Sequence, residues 1–242
     1  MADGYRQWTD VERQAFRLRP MKRTLVYILL MTVALGAKAQ EEPEYRMEIG
    51  AGVGLANYLG DYNGSLMKNW QPMGSLLAKY RLNPRMAWAL NVSYGTLKGT
   101  LADAGTWYPD EQQLPTTFSN GLIDACVRFE YNFWAYGTGR EYRGARRVAP
   151  FVTFGLGMTH ANVFTANLPI GAGIKYKIGE RLNLNAEWVM HFTGSDKLDG
   201  VADPYGIVSS GVFKNTDCYS ALQVSLTYDI WAKCKTCNND RD

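Results

Sequence analysis

Residues 181–192, RLNLNAEWVMHF, alternate almost without a break. Leu182, Leu184, Ala186, Trp188, Met190 and Phe192 are apolar. Arg181, Asn183, Asn185, Glu187 and His191 stand between them, with Val189 the one lapse. Period two over this length predicts a strand with one dry and one polar face. Seven further segments follow the same rule. Residues 45–55 set Tyr45, Met47, Ile49, Val53 and Leu55 against Arg46, Glu48 and glycines. Residues 73–82 set Leu76, Ala78, Tyr80 and Leu82 against Ser75, Lys79 and Arg81, with Leu77 out of pattern. Residues 86–96 and 121–133 set Trp88, Leu90, Val127 and Phe129 against Ala87, Asn91, Asp124, Cys126, Arg128 and Glu130. Residues 150–159, 168–178 and 219–230 repeat the theme, with Gly155, Gly157, Gly171, Gly173, Lys175, Lys177 and Asp229 on the polar face. No comparable helical period appears in the chain beyond residue 40.

Eight alternating segments of roughly ten residues predict an all-β fold, an eight-stranded antiparallel up-and-down transmembrane β-barrel over residues 40–231. A soluble barrel would turn the polar face to water, where its glycines have no purpose. In a narrow barrel that face points into the lumen, and large charged residues there need small neighbours. Tyr45, Tyr80, Tyr94, Phe133, Tyr176, Phe192 and Tyr228 lie near the ends of the apolar face, where rings sit at a lipid–water boundary. Turns 83–85 and 179–180 are tight, whereas 59–72, 99–118, 160–167 and 193–216 are longer. Short turns on the periplasmic side and long loops outside put both termini in the periplasm. Connection 134–149 breaks the rule, being periplasmic but long and basic; it reads as a solvated loop or a docking surface built on Arg140, Arg143, Arg146 and Arg147.

The amino-terminal part changes the charge balance. Met21, Lys22 and Arg23 precede TLVYILLMTVALG, then AKAQ supplies an A-x-A site. Residues 21–39 read as a signal peptide cleaved after Ala39, and 1–20 as a non-native upstream extension. No cysteine follows the apolar run directly, so no acylation site is expected. Residues 1–39 hold seven of the 26 Lys/Arg and three of the 23 Asp/Glu, leaving 19 and 20, net −1. The mature chain therefore has no basic block suited to nucleic acid. Its localisation is expected to be the outer membrane, with lipid around it.

The lumenal charges Arg46, Glu48, Lys79, Arg81, Asp124, Arg128, Glu130, Lys175, Lys177, Arg181 and Glu187 are expected to neutralise one another as packing rather than to form a pore or catalytic site. His160 and His191 are expected near the outer rim, where His191, Thr193, Ser195 and Asp196 offer acid–base or nucleophilic groups. No oxyanion device accompanies them, so the chain reads as no enzyme, with no catalytic residue, metal or cofactor expected. Cys126 and Cys218 fall on strands across the barrel and should not bridge. Cys234 and Cys237, in a periplasmic tail of residues 232–242, could form a redox pair, half a zinc site, an internal disulfide or a disulfide to a partner. Lys233 and Lys235 flank Cys234 and should favour its thiolate.

Four stretches carry a family resemblance: NYLGDYN at 57–63, APFVTFGLG at 149–157, GAGIKYKIGERLNLNAEW at 171–188 and DCYSALQVSLTYD at 217–229. Together they resemble the PorG family of outer-membrane barrels in the type IX secretion machinery. FTGSDKLDG at 192–200 is the stretch least like that family. The resemblance implies a non-enzymatic role, tying a periplasmic ring of a lipoprotein and its partner subunit to the outer membrane. The alternatives are a rim-acting lipid-modifying enzyme built on His191, and an adhesion or envelope-stabilising barrel working through its outer loops.

Overall fold

In the computed structural model the described residues are 45–103, 115–138, 145–195, 197–200 and 217–232. Every alternating segment is a strand: β1 (Tyr45–Leu59), β2 (Gln71–Asn83), β3 (Met86–Thr100), β4 (Thr117–Asn132), β5 (Val148–His160), β6 (Phe164–Lys177), β7 (Leu182–Thr193) and β8 (Cys218–Ala232). Each pairs antiparallel with the next, and β1 pairs with β8 from Tyr45–Ala232 to Leu59–Cys218, which closes the barrel. Closure leaves no strand edge with unpaired backbone groups, the condition for crossing lipid with strands. No helix among the described residues is long and apolar enough to cross a membrane.

The apolar parity faces out. Val53, Leu76, Leu90, Val127, Leu156, Ile174 and Leu226 are exposed on the wall, while Glu48, Lys79, Arg128, Lys175 and Asp229 are buried inside. A wall this apolar cannot stand in water, and it encloses a charged interior. The chain is thus a small β-barrel of the outer-membrane type. Leu77 and Val189, the two lapses in alternation, point inward and are buried. Glycine gives room where rings fill the lumen: a Cβ on Gly173 would come within 2.6 Å of the Phe151 ring.

The strands run further outward than alternation indicates. β3 continues to Thr100 and β4 begins at Thr117, because the lumen changes character at that end. Its inward residues there are Tyr58, Leu97, Leu122 and Tyr219, so both faces become apolar and the period fades. The expected loop 160–167 is a short turn, residues 161–163, since β6 starts at Phe164 with Thr165 and Asn167 pointing in. Arg181 is not lumenal: it is exposed in the β6–β7 turn, and Arg46 is half-exposed.

Candidate functional site

The half of the lumen at the Tyr45–Ala232 end, where the turns are short, is a network of ion pairs. Asp229 accepts from Arg81 at 2.9 and 3.3 Å, Lys177 at 2.6 Å and Asn183 at 2.8 Å. Arg81 also donates to Glu48 at 2.7 Å, and Thr227 donates to the same carboxylate. Glu130 pairs with Lys79 at 3.0 Å and with Lys175. Arg128 pairs with Glu187 at 2.8 Å, supported by Gln223. Five buried cations (Lys79, Arg81, Arg128, Lys175, Lys177) thus face four buried carboxylates (Glu48, Glu130, Glu187, Asp229), while buried Asp124 accepts from Thr159 and Asn167. Mutual pairing offsets their desolvation, which no isolated charge could survive here.

The connection after β4 closes the mouth at that end. Tyr136 is buried, and its hydroxyl donates to Asn183 at 2.8 Å. Its ring centre lies 5.4 Å from the Arg81 guanidinium and 5.6 Å from each ammonium of Lys175 and Lys177. Asn132 donates its backbone N–H to Arg85 and Tyr136 donates to Pro84, at 2.7 and 3.0 Å, tying the connection to the β2–β3 turn. Arg146 donates to Ala135 at 2.8 Å and Gly137 donates to Arg146 at 3.2 Å, so the chain leaves and returns through a hydrogen-bonded neck. The Arg146 guanidinium stands 4.6 Å over the Trp134 ring.

The outer mouth is sealed differently. Ala56, Tyr58, Tyr62, Met73, Leu97, Leu122, Tyr219 and Ala221 form an apolar cluster with Leu198, which reaches in from the β7–β8 connection. The Tyr58 hydroxyl lies 2.9 Å from Asp199 and 2.5 Å from Asp217, and the Asp217 carboxylate accepts from the Leu198 N–H at 2.9 Å. Asn120 donates to the Leu198 carbonyl at 2.7 Å. Asn63 donates to Asn57 at 2.9 Å and to the Tyr58 carbonyl at 2.8 Å, while Asn57 donates to the Leu66 carbonyl at 2.8 Å. The stretch 57–63 is therefore a structural corner that folds the first outer loop onto β1. Lys68 and Asn69 bond Asp103 at 2.8 and 3.0 Å, and these bonds hold the Asp103 carboxyl below the usual carboxylate range.

Of the expected partner-binding residues, Arg146 and Arg147 are exposed at the mouth that the β4–β5 connection closes. Arg140, Arg143, Cys234 and Cys237 lie outside the described residues. His191 is near the outer end but is buried, not at the rim. It stacks on Tyr219 at 4.3 Å, with its Nδ1 2.9 Å from the Tyr219 hydroxyl. Thr193 bonds the Asp217 and Ser195 carbonyls and is buried; Asp196 lies outside the described residues. His160 is half-exposed against Phe164. Cys126 on β4 and Cys218 on β8 are not bridged to one another. Among the described residues, no group of three or more His, Cys, Asp or Glu is placed to hold a metal ion.

Two features escaped the sequence reading. Asp229 is the hub of the charge network, yet only its parity was legible. Tyr136 sits in a connection with no periodicity to show that its ring turns back into the lumen.

Residues 22–239 match the family model described as a domain of unknown function, DUF6089. The chain belongs to the DUF6089 family. No curated protein matches the DUF6089 chain. Among solved structures, its barrel is similar to Neisserial surface protein A (TM-score 0.49, 12% identity, 76% of this chain and 97% of that one). It is also similar to OprG from Pseudomonas aeruginosa (0.43, 10%, 81% and 100%) and to Ail, the attachment invasion locus protein of Yersinia pestis (0.42, 11%, 77% and 99%). For the DUF6089 barrel, architecture rests on its own closed sheet and lipid-facing wall.

Proposed function

We propose that this barrel is a non-enzymatic outer-membrane anchor for a protein-export machine of the type IX kind, holding a periplasmic ring of a lipoprotein and its partner subunit. The observation that supports this most is the β4–β5 connection. Its ends are fastened to the barrel by Tyr136, through Asn183 and the Pro84 carbonyl, and to each other by the Ala135–Arg146–Gly137 backbone bonds. Between those ends the sequence carries Arg140 and Arg143. A solvated loop needs no such fastening, whereas a load-bearing contact does. The resemblance of residues 57–63, 149–157, 171–188 and 217–229 to the PorG family supplies the identity of the machine. Cys234 and Cys237 are a second attachment point, by disulfide to the partner. Burial of His191 beneath the outer seal weighs against a rim enzyme, because a lipid substrate has no route to its ring.

Deleting residues 139–144 tests the role. The barrel should still assemble, judged by its heat-dependent gel mobility. The periplasmic ring proteins should no longer co-purify with it from detergent-solubilised outer membrane, and export should fall. Unchanged co-purification and export in the deletion, combined with Cys234→Ser/Cys237→Ser, would refute the proposal. A surface-adhesion defect with normal export would favour the adhesion reading instead.

A further inference from the structure

The periplasmic edge carries an arginine collar separate from the 139–144 segment. Arg85, in the two-residue β2–β3 turn, Arg146 and Arg147, just before β5, and Arg181, in the β6–β7 turn, are all exposed, and Arg46 is half-exposed. Among the described residues of this edge, Glu180 is the exposed carboxylate; Glu130 and Asp229 are inside the lumen, paired with lysines and arginine. The collar is thus strongly cationic, although the mature chain as a whole is near neutral.

Two of these arginines are held on aromatic rings. Arg146 stands over Trp134 at 4.6 Å, and Arg181 lies 5.4 Å from the Tyr45 ring with its Nη1 3.5 Å from the Tyr228 hydroxyl. The neighbouring outward residues Phe133, Trp134, Tyr176, Tyr228 and Trp231 are exposed aromatics, the side chains that settle at headgroup depth. The Arg146 guanidinium, stacked by its face on Trp134, presents its N–H edge, which matches phosphate oxygens bidentately, while Arg181 is oriented by its bond to the Tyr228 hydroxyl and has further N–H groups to offer. The turns that carry Arg85 and Arg181 are too short to reach far into the periplasm. Their charges stay at the membrane surface, where a lipid phosphate, rather than a periplasmic protein, is the facing anion.

We infer that this collar binds the phosphate groups of anionic phospholipid in the inner leaflet, with the Trp134 and Tyr45 rings holding Arg146 and Arg181 in the receptive orientation. The collar then fixes the height and tilt of the barrel. It does not depend on the export role.

The test compares wild type with the variant Arg85→Gln/Arg146→Gln/Arg147→Gln/Arg181→Gln in nanodiscs of phosphatidylcholine doped with phosphatidylglycerol. After transfer to mild detergent, native mass spectrometry reads the lipid that stays bound. Wild type should retain phosphatidylglycerol in preference to phosphatidylcholine, and the preference should weaken as salt rises. The variant should lose it while keeping the folded gel mobility. If the fourfold variant does not fold, Arg146→Gln and Arg181→Gln singly should each reduce retention, and Arg181→Lys should reduce it less than Arg181→Gln. Equal phosphatidylglycerol retention by wild type and a folded variant would overturn the inference. So would unchanged lipid retention in a variant that loses envelope proteins on pull-down, because the collar would then serve a protein.

Discussion

The two mouths of this barrel are closed by opposite chemistries. The inner one is closed by Tyr136 resting over Arg81, Lys175 and Lys177, on top of an ion-pair network. The outer one is closed by Leu97, Leu122, Leu198 and five tyrosine or alanine neighbours, with carboxylates only at its margin. The difference teaches what each end can tolerate. An apolar seal is non-directional and degrades gradually when trimmed. A charge network depends on each partner, and losing one strands the others. The surfaces follow the same division: the inner end carries the exposed Arg85, Arg146, Arg147 and Arg181, and the outer end has connections folded back on a core.

The largest effect should come from the inner network. Asp229→Ala leaves Arg81 and Lys177 buried without their shared carboxylate, and should cost roughly 3–5 kcal/mol. Urea unfolding in detergent micelles, followed by Trp fluorescence, reads this directly. A cost below that of an outer-mouth truncation would break the contrast. At the outer end, Leu122→Ala removes one member of a cluster that can partly relax, and should cost about 2–3 kcal/mol by the same measurement.

A matched pair sharpens the contrast further. Tyr58→Phe removes a hydroxyl that faces two carboxylates, a charge-assisted contact of roughly 1.5–3 kcal/mol. Tyr136→Phe removes one bond to the neutral Asn183 amide oxygen and leaves the ring over its cations, so about 0.5–1.5 kcal/mol is expected. The order Tyr58→Phe above Tyr136→Phe is the prediction; the reverse order would mean that the inner plug is held chiefly by its hydroxyl.

How much of this was legible beforehand differs along the barrel. The eight strands, their parity and the closed antiparallel order follow from period two, because lipid outside and a charged lumen inside mark successive residues with opposite chemistry. At the outer ends, Leu97 and Leu122 replace charged lumenal residues. The marking disappears there, and the strands read short. The turn at 161–163 was hidden for a related reason: Thr165 and Asn167 are lumenal, but Ala166 between them is too small to signal a lipid face. Pairing across the lumen was not legible at all. Arg81 and Asp229 are 148 positions apart, and parity says that both point inward without saying that they meet. His191 shows the same limit, since its height near the outer end was readable and its burial against Tyr219 was not.

The smallest expected effect concerns acid. Lys68 and Asn69 hold the Asp103 carboxyl below its ordinary value. Its contribution to the first outer loop is therefore fully present above about pH 4 and is lost as the pH falls through the lowered folded value. Exchange of the Gly64 amide, which donates to the Asp103 carbonyl at 3.2 Å, should quicken only below that pH, after correction for intrinsic rates. Asp103→Asn should abolish the pH dependence.

The central claim is that both mouths are closed, so that the barrel is not an open pore, as the proposed anchoring role requires. Purified, folded barrel inserted into a planar lipid bilayer tests this most directly. The account predicts no stable conductance steps for the wild-type protein at low voltage, from either orientation. Reproducible, long-lived ohmic steps would contradict it.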